Sequence, residues 1–176
     1  MAGKVLGLVA TSMTLILIYL GGAYFTAQKM NMTQYLPGHV LAWFVLFQLL
    51  AVLMYGSIYI AIGASCTDAK EMQSLLMPIN LIMVLPIMLL ANIVQNPNGP
   101  LARLATWFPP ATPMIAVARI AVPPGIPGWE AAGAIAMVIL ATLLFIWASG
   151  RIFRVGILMQ GKGANLHEMM RWVFSG

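Results

Sequence analysis

The stretch Ser74-Leu75-Leu76-Met77-Pro78-Ile79-Asn80-Leu81-Ile82-Met83-Val84-Leu85-Pro86-Ile87-Met88-Leu89-Leu90-Ala91-Asn92-Ile93-Val94-Gln95 carries no charged side chain. At ~1.5 Å per helical residue, a run of this length crosses a hydrocarbon core of ~30 Å. It shows no apolar-polar alternation, so it cannot be a barrel strand, and only a helix closes its own backbone hydrogen bonds in lipid. Three more runs of similar length and character lie at 5–27, 39–65 and 129–150. The reading is an all-α, polytopic membrane protein in one transmembrane domain over residues 1–176, with four transmembrane helices.

Composition agrees. Of 176 residues, 61% are hydrophobic and 7% charged, and the mean hydropathy is +0.92. Soluble domains carry roughly 25% charged residues, so soluble enzymes and disordered linkers are excluded. The net charge of +5 comes from nine Lys and Arg spread singly. No basic run interleaved with aromatics exists to track phosphates, so no nucleic acid partner is expected. Cys66 is the sole cysteine, which excludes an intrachain disulfide.

The basic residues set the orientation. With the N-terminus inside, Lys4, Lys70, Arg151, Arg154, Lys162 and Arg171 face the cytoplasm, against Lys29, Arg103 and Arg119 outside. Both termini are therefore expected in the cytoplasm of a cell that carries the chain in its plasma (inner) membrane. The first run exceeds the roughly 7–15 apolar residues of a signal peptide, so a retained helix is expected.

Between the third and fourth runs, Asn96-Pro97-Asn98-Gly99-Pro100 is a turn signal. Residues 101–122 are then mostly apolar but broken by Pro109, Pro110 and Pro113. Two apolar pieces too short to span fit a re-entrant or interfacial hairpin before the last helix, the alternative being a proline-rich surface loop. In the tail, 164–174, Leu166, Met169, Met170, Val173 and Phe174 share one helical face. That makes a C-terminal amphipathic helix, lying on the inner membrane surface or docking a partner.

Catalytic chemistry finds no support. His39 and His167 fall on opposite sides of the membrane, as do Glu130 and the pair Asp68 and Glu71. No paired carboxylates, metal-ligand spacing or nucleophile dyad emerges, so no catalytic or metal-binding residue is expected. Residues 156–163 mimic a phosphate-binding loop, but Gly163 stands where Ser or Thr must hold magnesium. Gly161 and Gly163 read instead as a helix stop and hinge. Asn31-Met32-Thr33 is a formal glycosylation acceptor only in a secretory host.

Polar groups inside the spans are more informative. Gln48, Asn80 and Asn92 carry amides that cost free energy if left unpaired in lipid, so they face protein or a substrate pathway. Arg119, near the outer end, joins them as a pathway candidate, with room to snorkel outward. Pro78 and Pro86 each remove a backbone donor and are candidate hinges or kinks. Ser57, Ala61 and Ser65 on the second run, and Gly3 and Gly7 on the first, are small enough for close helix approach. The inner loop 66–73 is the densest charge cluster, either a solvated turn or a docking site for a cytoplasmic partner.

Gly63-Ala64-Ser65, Lys70-Glu71-Met72-Gln73-Ser74, Pro78, Pro86 and Asn96-Pro97-Asn98-Gly99-Pro100-Leu101 form an ordered set. With the proline-flanked segment through Arg119 and the ending Gly150-Arg151-Ile152-Phe153-Arg154-Val155-Gly156-Ile157-Leu158, this resembles the ABC-2 type permease family, in particular its sodium-extruding branch. The resemblance implies the membrane subunit of an ATP-driven exporter, whose ATP and magnesium are bound by a separate ATPase subunit and not by this chain. It implies ATPase-coupling contacts at Gly3, Lys4, Asp68, Lys70, Glu71 and Gln73. Family members have six helices and pair as dimers, whereas this chain matches only the last four. A second permease copy or a missing N-terminal half is therefore an expected partner, beside the ATPase and the lipid bilayer. The rival reading is a small four-helix scaffold without a transport cycle, which predicts interfaces of small residues and no polar cavity. The branch resemblance implies sodium or another small substrate as cargo.

Overall fold

A computed structural model describes the backbone of residues 2–30, 37–66 and 68–158. These residues form six helices: α1 (Ala2–Lys29), α2 (Gly38–Ser65), α3 (Ala69–Gln95), α4 (Pro100–Thr106), α5 (Thr112–Ala121) and α6 (Gly128–Leu158). Among the described residues there is no strand. Four helices are long and apolar enough to cross a membrane, over Gly3–Lys29, Gly38–Ser65, Ala69–Gln95 and Gly128–Arg154. The expected tail helix over 164–174, the Gly161 and Gly163 hinge and the Asn31 acceptor lie outside the described residues.

Helix α2 is central, making its most extensive contacts with α6 and touching α1, α3 and α5 as well. Its small residues Ser57, Ala61 and Ser65 are all buried. Near one end Phe47 of α2 meets Ala116 of α5 and Ala134 and Val138 of α6. Near the other, Ile62 of α2 and Leu75 of α3 close together with Ile152 of α6. The apolar bulk of α1 and α3 stays exposed, as a bilayer requires: Leu17, Met77 and Met88 are examples.

The close approach of α1 to α2 differs from expectation. Nothing lies within 4 Å of a Cβ built on Gly3 or Gly7, whereas one built on Gly56 of α2 would meet Leu8 of α1 at 2.2 Å. The missing side chain that admits α1 is thus on α2.

The charged connection also differs. Helix α2 ends at Ser65 and α3 begins at Ala69, so Lys70, Glu71 and Gln73 belong to the first turns of α3. The Asp68 carbonyl accepts the Met72 N–H at 3.1 Å, so the helix begins before its apolar stretch does. A charged first turn can remain in water while the helix enters lipid. Pro78 and Pro86 both sit inside α3 without ending it.

Residues 101–122 fold as a helical hairpin, α4 and α5 around Pro109 and Pro110. Thr112 fastens its turn, its hydroxyl lying 2.7 Å from the Thr106 carbonyl and 2.9 Å from that of Phe108. Ala102, Ala105, Ala111 and Ile115 close on Ile93 at the end of α3. Trp107 rests on α6, where a Cβ on Gly133 would meet its ring at 2.8 Å. Gly125, at φ +80, reverses the chain before α6.

Candidate functional site

The hairpin roofs a groove of about 320 Å³ between α2, α3 and α5. Phe44, Gln48, Ala51 and Tyr55 form the α2 wall, Met83, Pro86 and Ile87 the α3 wall, and Pro110, Pro113, Met114 and Val117 the roof. The Tyr55 hydroxyl donates to the Pro110 carbonyl at 2.6 Å, tying the hairpin turn to α2. Gln48 is half-buried and aligned with this lining.

The four amide and guanidinium candidates are dispersed. Gln48 lines the groove. Asn80 lies further along α3, where the Tyr59 hydroxyl donates to its Oδ1 at 2.6 Å and also lies 3.2 Å from the Met83 sulfur. Asn92 is exposed on α3. Of the two prolines, Pro86 lines the groove and is buried, while Pro78 is exposed.

Arg119 corrects the expectation of a side chain snorkelling outward, for its exposure is 0%. Its guanidinium pairs with the buried carboxylate of Glu130. It also donates to the Thr106 hydroxyl at 2.7 Å, to Asn98 Oδ1 at 3.3 Å and to the Pro97 carbonyl. One cation thereby joins the turn after α3, the end of α4 and the start of α6. The helix ends assist, because Arg119 lies in the last turn of α5 and Glu130 in the first turn of α6. Among the described side chains, no buried nitrogen or oxygen lacks a partner.

Sequence reasoning missed Glu130 as a partner, and with it Thr106 and the two tyrosines. The signal was the doubled turn Pro123-Pro124-Gly125 and Pro127-Gly128, which folds the chain back between Arg119 and Glu130.

The coupling candidates lie at the opposite end, on the starts of α1 and α3 and the turn before α3. Lys4 Nζ lies 5.9 Å from the Phe153 ring centroid, bringing the start of α1 to the end of α6. Met72 at the start of α3 sits 3.9 Å from where a Cβ on Gly63 of α2 would be. Gly3, Lys4, Asp68, Lys70 and Gln73 are exposed on this end and Glu71 is half-buried. Cys66 lies in the same turn, where burial pushes its thiol upward and the negative charge of Glu71 pushes the same way.

Among the described residues, no three His, Cys, Asp or Glu side chains group as a metal site.

Comparison with known proteins gives two relatives of undetermined function. Over 176 residues, 99% of this chain, it is 26% identical to the uncharacterized protein MJ1024 of Methanocaldococcus jannaschii, covering 42% of that protein. Over 120 residues, 68% of this chain, it is 25% identical to the uncharacterized protein YhaP of Bacillus subtilis, covering 28% of that protein. The chain thus spans less than half the length of these curated relatives. No solved structure matches. The family described as ABC-2 family transporter protein matches residues 1–151. With its multi-pass helical architecture, the chain belongs to the ABC-2 transporter family.

Proposed function

We propose that the chain is part of the membrane-spanning subunit of an ATP-binding-cassette exporter, driven by a separate ATPase that holds the ATP and magnesium. The family match over residues 1–151 carries this reading. The position of Gly3, Lys4, Asp68, Lys70, Glu71 and Gln73 at one end of the bundle supports it by offering polar groups to an ATPase. In this reading that end is cytoplasmic, as are both termini, and the hairpin faces outward. ATP binding on the partner would press on the start of α3 and rock α3 against α2, opening and closing the groove between them. Pro86, inside α3 on that groove, is the proposed hinge, with Pro78 nearer the ATPase end. A second permease copy or an N-terminal half would complete the unit. Its cargo would be sodium, following the branch resemblance, or another small substrate.

A scaffold without a transport cycle predicts no polar cavity; the groove is mostly apolar, and the Gln48 amide in its wall is the feature that favours transport over that alternative. Co-purification with a candidate ABC ATPase co-expressed from the same source, in detergent at moderate salt, is the test. The reading expects stable co-elution that Asp68→Lys with Lys70→Glu disrupts, and ATP-dependent export after reconstitution. Failure to co-elute would sink it.

A further inference from the structure

The lining of the groove restricts what it can hold. Its volume of about 320 Å³ is at the lower end of small-molecule sites, which occupy ~300–1,000 Å³. Phe44, Ala51, Met83, Ile87, Met114 and Val117 give it an apolar and partly aromatic surface. Pro86, Pro110 and Pro113 contribute walls with no N–H to offer. The Tyr55 hydroxyl is already committed to the Pro110 carbonyl. Its oxygen can still accept, which leaves the Gln48 amide as the side chain open both to donate to an occupant and to accept from it.

Charge is kept out of this space. Of the described carboxylates, Asp68 and Glu71 lie at the far end of α3 and Glu130 is bound to Arg119. Arg119 itself is enclosed by Glu130, Thr106, Pro97 and Asn98. A hard cation entering the groove would exchange a full shell of oxygen ligands for the Gln48 amide oxygen and the already bonded Tyr55 and Pro110 oxygens, and an anion would meet no cation in the lining.

We infer that the groove binds a small, electrically neutral organic molecule with an apolar or aromatic body and one hydrogen-bonding group held by Gln48. Such molecules, rather than sodium, are then the cargo class. This rests on the exporter reading above and names the substrate class of that same groove. The two thioethers, Met83 and Met114, let the walls adjust to bodies of different outline.

The test uses the 176-residue chain in phosphatidylcholine nanodiscs with a neutral photoreactive probe, 4-(hydroxymethyl)benzophenone, and mass-spectrometric mapping. Saturable insertion into α2, α3 and α5 around Ala51, Met83 and Met114 is expected, unaffected when sodium chloride replaces choline chloride. Ala51→Trp fills the groove and should abolish the saturable component. Gln48→Leu should weaken binding roughly fivefold, the loss of about one hydrogen bond. Leu140→Trp, on the exposed face of α6, should label like the parent chain, and all variants must elute as it does. Labelling that never saturates, that survives Ala51→Trp, that falls as lipid is added, or that sodium displaces would overturn the inference. No ATPase is present, so a failure here leaves the co-purification result standing.

Discussion

Arg119 and Glu130 stand eleven residues apart in the chain and share a buried ion pair that joins α5 to α6. Removing one member of a buried pair strands the other charge, at a cost of about 3–5 kcal/mol. Arg119→Met and Glu130→Met should each lower the unfolding free energy in mild detergent by that much. The double variant should lose less than the sum, since neither charge is then left alone. Arg119→Lys keeps the charge but not the planar fork that reaches acceptors on several segments, so it should fall between. Full additivity would show that the two side chains act independently.

Two glycines sit under neighbouring helices, and their substitutions should diverge. A Cβ at Gly133 meets the ring of Trp107 at 2.8 Å, whereas one at Gly56 meets the flexible end of Leu8 at 2.2 Å. A leucine tip can change rotamer; an indole lodged on α6 must move as a plate. Gly133→Ala should therefore cost about 1–3 kcal/mol, the usual range for overpacking, and should alter tryptophan emission. Gly56→Ala should be milder and leave emission unchanged. Equal effects would contradict this account.

The long elements were legible because an apolar run of membrane length has one solution, a helix closing its own hydrogen bonds. Helix ends were less so, since the charged start of α3 belongs to the same helix as Ser74 but not to the same solvent. The hairpin was visible in Pro109, Pro110 and Pro113, which interrupt an apolar stretch. What periodicity cannot reveal is which side chains meet across helices. Arg119 looked like a snorkelling cation because its partner is supplied by a turn of the chain. Gln48 lines the groove, while Asn80 was drawn to Tyr59, a residue whose neighbours give no hint of it.

The Tyr59 and Asn80 contact gives a measurable coupling. The tyrosine hydroxyl reaches Asn80 Oδ1 at 2.6 Å and Met83 at 3.2 Å, linking α2 to α3. Tyr59→Phe should cost roughly 0.5–1.5 kcal/mol. In the background of Asn80→Ala the same change should cost less, because the main acceptor is already gone. A double-mutant cycle on thermal unfolding reads the difference, and zero coupling would mean that the two groups do not interact in the folded protein.

Cys66 reports on the turn between α2 and α3 because it is the sole cysteine of the chain. Its thiol titrates above the ordinary range, burial being the larger cause and Glu71 the smaller. A raised value favours the neutral thiol, and only the thiolate attacks iodoacetamide. At any pH near neutrality Cys66 should therefore alkylate more slowly than a free cysteine, whose value is ~8.5, and its rate should climb only at more alkaline pH. Glu71→Gln removes the negative charge but not the burial, so the profile should move part of the way back toward lower pH. A larger return in Glu71→Lys would identify charge as the cause, whereas no movement in either would leave burial alone. The same thiol tests orientation, since a membrane-impermeant maleimide should label it in inverted vesicles but not in intact cells. Labelling from outside would place the charged start of α3 on the wrong side for an ATPase.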